Sequence, residues 1–429
     1  MVYMKTAYVN VNILDGTKDM QVQQGMTIVV ENGRIVSVGK DLVISSGRTV
    51  DLKNKYLLPG LINLHVHLPG SGIPKTRSGQ NNRAIVRMMK NPFTRAVIAR
   101  ICEKYAKTEL LSGVTTIRTV GGLGHIDSDI RNKINRGLLT GPRMLVSDHA
   151  ISVPHGHMAG VLAYEAESKE DCIRYVRQIA EHKPDLIKLM ITGGVLDATV
   201  KGEPGVLRMK PALVKAACTE AHKLGLTVAA HTESPEGVKV ALENGVDSIE
   251  HGAKMNDDLI RLYKEHHAVN ICTISPAVPL AKLPVQVTKS SDMTQYNGQV
   301  VMDGIIDAAK VCLANGIPVG LGTDTACPFV THYDMWRELK YFVKYVNVTP
   351  AFALYTATLR NAEIAGIDGE TGSIVPGKSA DFVVVDGNPV DDLAVLRTPS
   401  LVVFRGKQIF HPGIKKYPYI EEQLNSIML

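Results

Sequence analysis

A parallel (β/α)8 barrel, an α/β fold, carrying a small β-sandwich domain formed by both chain termini is the architecture the sequence predicts, on three observations. Between residues 59 and 369, short apolar runs alternate about eight times with helical patterns. The segments on either side read instead as β-branched runs split by turn dipeptides. The chain has 429 residues, more than one ordinary domain needs and enough for a barrel with an appended unit.

Taken in order, the N-terminal runs fall at 7–12, 26–31 and 34–39, with Asp15-Gly16 and Asn32-Gly33 as hairpin-type turns. Matching runs return at 380–386 and 401–407, beside Pro376-Gly377 and Asp386-Gly387. Neither end has enough strands to cover its own apolar face, so the two are expected to pair. The expected division is 1–58 plus 370–429 for the composite domain and 59–369 for the barrel. Barrel strands are expected at 61–67, 114–120, 143–147, 186–191, 227–231, 248–251, 269–273 and 318–323. Residues 210–224 illustrate the helices between them: Leu213, Ala216, Ala217, Glu220, Ala221 and Leu224 share helical spacing, and Gly225 ends the run. His222 falls in its last turn, where a helix dipole favours positive charge. Connections at 68–91, 148–168 and 274–298 are long and rich in turn-forming residues, and each follows a strand C-terminus, where barrel enzymes build their sites.

Composition excludes several classes. A hydrophobic content of 45% with 21% charged residues is ordinary for a soluble enzyme, and no apolar run is long enough to span a bilayer. No secretory signal is visible, so a cytoplasmic location is expected. Six scattered cysteines without a C-x-x-C read as reduced core thiols. The net charge of +6 is dispersed; its densest stretch, Lys75, Arg77, Arg83, Arg87 and Lys90, lacks the interleaved aromatics of a nucleic-acid surface. The expected partners are a small-molecule substrate and further copies of the chain in a homo-oligomer, with neither nucleic acid nor membrane.

The chemistry gathers at strand ends. His65 and His67 lie two apart on the first strand, so their imidazoles project from one face. Alone, such a pair fits a surface or hydrogen-bonding role equally well. However, the fifth strand ends in His231, the sixth in His251 and the eighth in Asp324. Four imidazoles and a carboxylate on one rim point to a metal. The fourth strand carries a single charge, Lys188, within Asp185-Leu-Ile-Lys-Leu-Met-Ile. Two readings of it are open: its ammonium snorkels to the rim, or a lowered pKa lets it take up CO2 and become a carbamate able to bridge two metals.

Together, His65-x-His67, Lys188, His231, His251 and Asp324 resemble the binuclear amidohydrolase superfamily, over nearly the whole chain. Gly113-Val-Thr-Thr-Ile-Arg118, Ile191-Thr-Gly-Gly-Val195, Pro235-Glu-Gly-Val238, Ser248-Ile-Glu-His-Gly252 and Gly322-Thr-Asp324 are similar to its imidazolonepropionase-like and prolidase-type branch, the latter including Xaa-Pro and Xaa-Arg dipeptidases. The resemblance implies two divalent metal ions, zinc (Zn2+) first. His65, His67 and Asp324 would hold one, His231 and His251 the other, bridged by hydroxide and by N6-carboxylysine formed at Lys188 from CO2. It implies hydrolysis of an amide in dipeptides or N-acyl amino acids, with Asp324 taking the proton of the attacking hydroxide and passing it to the departing amine. It also implies that the His155-Gly156 pair after the third strand polarises the carbonyl, a role that His157 could share or take over.

Substrate residues are less defined. Gly193-Gly194 reads as close backbone approach to the substrate or as a plain tight turn. Glu233 reads as a pocket acid or a solvated loop carboxylate. Arg118, Lys75 and Arg208 are candidates for a substrate carboxylate. Many relatives have Arg-Asp where this chain has Arg118-Thr119, and His231-Thr-Glu-Ser departs from the usual small or aromatic follower. Both departures bear on the substrate rather than the chemistry. A deaminase would carry His-x-x-Glu after strand five, where Ser234 stands here, and a non-enzymatic relative would have lost ligands. Hydrolysis of a cyclic amide, lactone or phosphotriester stays open.

Overall fold

The computed structural model describes residues 5–43, 47–74 and 82–428. Lys75 and Arg77 lie outside the described residues, as does part of the 68–91 connection, and the side chain of Arg83 is not among those described. The chain divides into two compact units. One comprises Met1–Asn63, Lys107–Ile117 and Tyr333–Lys415; the other comprises Leu64–Ala106, Arg118–His332 and Lys416–Leu429.

In the first unit, strands from both ends of the chain share one eight-stranded sheet. Tyr56–Pro59 pairs antiparallel with Phe382–Val385 and parallel with Thr6–Leu14, so the N-terminal and C-terminal runs each complete the other's edge. Its core includes Tyr8, Ile28, Leu57, Phe382, Val384 and Val403. The Tyr8 ring meets Phe382 edge-on at 5.1 Å between centroids, and its hydroxyl accepts a hydrogen bond from Gln408 at 2.7 Å. A buried tyrosine needs such a partner, and each large apolar side chain buried here contributes about 1.5–3 kcal/mol.

All eight strands expected between the ends are present: Leu61–Val66, Val114–Thr119, Arg143–Val146, Leu186–Met190, Thr227–Thr232, Ser248–His251, Val269–Cys272 and Val319–Leu321. The first three form one sheet; the other five form a seven-stranded sheet with the short strands Ala150–Ser152 and Ala163–Glu165. Pairing within the larger sheet is parallel throughout. Strands such as Leu61–Val66 and Leu186–Met190 are buried at every residue, which explains why they read as continuous apolar runs. Helices return the chain between them. Lys169–Ala180 starts at a Ser168/Asp171 capping box, Pro235–Glu243 at Ser234 and Asp257–Glu265 at Asn256. Pro211–Lys223 ends just before Gly225, whose φ of +72° suits glycine. His222 at its end faces the Asp247 carboxylate at 2.9 Å.

Two long connections are more ordered than their composition implies. Residues 148–168 contain the paired strands Ala150–Ser152 and Ala163–Glu165. Residues 274–298 contain the helices Ala277–Lys282 and Val285–Thr288 and the start of Asp292–Ala314. Pro276 and Pro284 stand immediately before the first two, where a fixed φ and a missing N–H do no harm, so the prolines that suggested a loop begin helices. Among the described residues, no helix is long and apolar enough to cross a membrane.

The end of the last strand closes tightly on the first. A Cβ at Gly322 would stand 2.4 Å from the Cβ of His65 and 2.6 Å from its backbone nitrogen, and Asp324 N donates to His65 O at 2.9 Å. Glycine at 322 is therefore what lets Asp324 reach the first strand. Gly322→Ala should cost about 1–3 kcal/mol in reversible denaturant unfolding. Gly369→Ala, in open space, should stay within about 0.5 kcal/mol. Equal stability for the two variants would contradict the crowding.

Candidate metal centre

Strand C-termini deliver the expected side chains to one place. Ring centroids are 5.2 Å apart for His65 and His67, 4.8 Å for His65 and His251, and 4.7 Å for His231 and His251. Asp324 Oδ1 lies 3.4 Å from His65 Nε2 and 3.3 Å from His67 Nε2. Among the described residues, two groups could each hold a cation: His65, His251 and Asp324, and His231, Glu233 and His251. Asp324 and His251 have φ of +56° and +69°, a left-handed backbone that costs a non-glycine residue about 1–3 kcal/mol.

Partners on the far side of each ring decide which nitrogen can ligate. Glu250 Oε2 holds His65 Nδ1 at 2.7 Å, the Gly121 carbonyl accepts from His67 Nδ1 at 2.8 Å, and Thr273 Oγ1 meets His251 Nδ1 at 2.7 Å. Each leaves Nε2 for a metal. His231 is reversed: its Nε2 lies 3.1 Å from the Gly193 carbonyl, leaving Nδ1. Burial pushes His65 down to about 4, and His231 and His251 well below the usual imidazole value, so these rings carry the lone pairs that ligation needs. Burial opposes ionisation of Asp324, but His65, His67 and His251 hold its carboxyl well below the ordinary range.

Lys188 is fully buried, and its Nζ has no hydrogen-bond partner among the described residues. Burial lowers it to about 8, against the pull of Glu250 and Asp324. An orphaned amine beside neutral imidazoles and a carboxylate is a donor set that fits divalent metal, with the lysine as the group still needing a change of charge.

Glu250 is the residue that sequence reasoning missed. Its carboxylate bonds His65, Ser248 at 2.8 Å and Arg118 at 2.7 Å; burial would raise it, but Arg118, His65 and Lys188 hold it low. Strand alternation would send it away from the face of its neighbour His251, and the positive φ at His251 breaks that rule. The available hint was an acid inside the Ser-Ile-Glu-His-Gly stretch. Arg118, expected at the substrate, is instead spent beneath the site: buried, it donates to the Leu64 carbonyl, Ser248 and Glu250. A guanidinium that offsets a buried carboxylate is not free to meet a ligand.

Of the two candidate histidines after the third strand, His155 is exposed with φ of +61°, whereas His157 stacks on His231 at 4.2 Å and bonds Asp197 through Nδ1. Gly194 is pressed against both rings, since a Cβ there would lie 3.1 Å from His157 and 3.5 Å from His231. Gly193 supplies the carbonyl that turns His231. Glu233 accepts from Val195 N at 3.1 Å, and burial with nearby Asp324 and Asp197 raises its carboxyl to about 8. Arg208 is exposed beside Gly193, and Cys327 Sγ donates to Asp324 Oδ2 at 3.2 Å, an exception to the purely structural role expected of the cysteines.

Parallel strands that end in four histidines and a carboxylate mark an α/β protein whose donor set fits a divalent metal. The chain belongs to the amidohydrolase family, whose pattern matches residues 56–409, and within it to the imidazolonepropionase- and prolidase-like branch. Members of this family generally use a divalent metal, and the chain is a hydrolase acting on carbon–nitrogen bonds. It is 35% identical to a Bifidobacterium longum protein provisionally assigned as a prolidase, with complete coverage of both chains and a TM-score of 0.88. A Xaa-Pro dipeptidase with methionine bound in its active site is 28% identical, with 95% of this chain and 100% of that chain covered and a TM-score of 0.83. Ochratoxinase of Aspergillus niger is 25% identical over 434 residues, 91% of this chain and 85% of that protein. Imidazolonepropionase of Geobacillus thermodenitrificans is 25% identical over 393 residues, 85% of each.

Glu250→Gln keeps the shape but releases His65 from its fixed tautomer. Zn2+ affinity, measured by competition with a chromophoric chelator, should fall about 10–100-fold. Unchanged affinity would mean that the Glu250–His65 bond does not position the ligand.

Proposed function

We propose that this chain is a binuclear metal-dependent amidohydrolase that cleaves the C–N bond of a dipeptide or an N-acyl amino acid, in the manner of a prolidase or carboxypeptidase. The observation that carries the reading is the convergence of His65, His67, His231, His251 and Asp324, with buried Lys188, whose Nζ has no hydrogen-bond partner among the described residues, beside them. The relative that holds methionine in its active site supports an amino acid as one product. Hydrogen bonds from Asp185 N to Val146 O at 2.8 Å and from Asp324 N to His65 O at 2.9 Å support reading the eight strands as one closed (β/α)8 barrel. The pairing of both chain ends supports a composite domain at 1–58 and 370–429.

His65, His67 and Asp324 would hold one cation and His231 and His251 the other, with Lys188, carboxylated by CO2, between them. Bound there, the cations would acidify an attacking water and polarise the scissile carbonyl, and the donor set suits zinc first. Asp324 takes a proton as water oxygen adds to the carbonyl carbon. It returns that proton to the nitrogen as the C–N bond breaks, so the products are a carboxylic acid and an amine. Cys327, donating to the other carboxylate oxygen, keeps Asp324 turned toward the reacting atoms. His157, with Nδ1 anchored on Asp197, presents Nε2 where an N–H donor would steady the carbonyl oxygen as it gains charge. The imidazolonepropionase relatives favour a second reading, in which the bond cleaved is a cyclic amide.

Purified protein should carry close to two divalent metal ions per chain by elemental analysis. Given a panel of dipeptides, N-acyl amino acids, cyclic amides and lactones, it should turn over the first two classes, and removal of metal by chelation should abolish that turnover. Hydrolysis confined to cyclic amides would replace the substrate assignment with the second reading. Full activity without metal would overturn the mechanism.

A further inference from the structure

The ligand set outlined above gives one cation a carboxylate, Asp324, and leaves the other with two histidines and the shared lysine. Glu233 stands at the place this asymmetry would need filled. It lies two residues beyond His231, just past the strand Thr227–Thr232. One ligand atom from each of His231, Glu233 and His251 lies within 4.8 Å of the others. Small side-chain movements would bring all three to the bond lengths of about 2.0–2.2 Å that an ion requires.

Glu233 is also held ready. Val195 N donates to its Oε2 at 3.1 Å, and its own backbone N–H donates to Thr192 Oγ1 at 3.1 Å, so both contacts come from the segment that follows Lys188. No lysine or arginine among the described residues pairs with its buried carboxylate, and a buried carboxylate without a counter-charge is costly. A cation beside it would remove that cost.

We propose that Glu233 is the third side-chain ligand, beside Lys188, of the cation held by His231 and His251, so that each metal has its own carboxylate. This assignment rests on the binuclear reading. It is tested by titrating metal-free wild type, Glu233→Gln and Glu233→Asp with Co2+, followed by visible absorption, and with Zn2+ against a chromophoric chelator. Circular dichroism checks that each variant is folded. Wild type should take up two ions. In Glu233→Gln one of the two should bind at least about tenfold more weakly, with a changed Co2+ spectrum, while the other keeps its affinity. Glu233→Asp, which keeps the carboxylate, should fall between, and it decides the matter if the Gln variant does not fold. Two ions bound with wild-type affinity and spectrum in both variants would overturn the Glu233 assignment alone, even if KM changed. A wild type that binds fewer than two ions would overturn the binuclear reading itself.

Discussion

A buried lysine amine with no hydrogen-bond partner among the described residues, beside the imidazoles of His65, His231 and His251, is the constraint on which the rest of this site depends. Leaving a buried charge uncompensated costs roughly 3–5 kcal/mol, more than a marginally stable fold spends without return. The surroundings of Lys188 answer in two ways. Burial lowers the amine to about 8, so the nucleophilic neutral form is accessible near physiological pH. The carboxylates near it, Glu250 and Asp324, would favour a cation and Arg118 would oppose one, yet neither carboxylate makes the hydrogen bond that would satisfy an ammonium. The proposed conversion to an anion between two metals would answer both facts, and the neutral imidazoles of His65, His231 and His251 are already in the state that metals require.

Geometry around that lysine is set from outside the ligand ring. Glu250 fixes His65, Gly121 fixes His67, Thr273 fixes His251 and Gly193 turns His231 the other way. Arg118 in turn offsets Glu250, tying the second strand to the first and sixth. Each of these bonds chooses a nitrogen, and together they aim four lone pairs into one space. The tight approach of Gly322 to His65 adds the carboxylate of Asp324 at the right depth. Backbone strain at His251 and Asp324 is the cost of turning side chains inward at strand ends.

Part of this was legible in the sequence because strand alternation is a strong rule and the His65/His67 pair obeys it. His65 and His67 could be paired on spacing alone, and the eight apolar runs match eight strands with differences of one or two residues at their ends. What stayed hidden involved contacts between distant segments or departures from the rule. Glu250 was masked by the left-handed backbone at His251. Arg118 looked like a substrate anchor because a sequence shows its charge but not the carboxylate, 132 residues later, that consumes it. His155 and His157 differ by two positions and are equivalent in a motif; only the turn at His155 and the stack of His157 on His231 separate them. Pro276 and Pro284 suggested loops because composition does not tell a helix start from a turn.

The central claim is that Lys188 becomes an anion. The most direct test is 13C NMR of the metal-loaded protein after equilibration with 13C-labelled bicarbonate, run beside Lys188→Ala. The account predicts one protein-bound carbamate carbon per chain in the wild type and none in the variant. A fully metal-loaded, active wild type without bound 13C would contradict it.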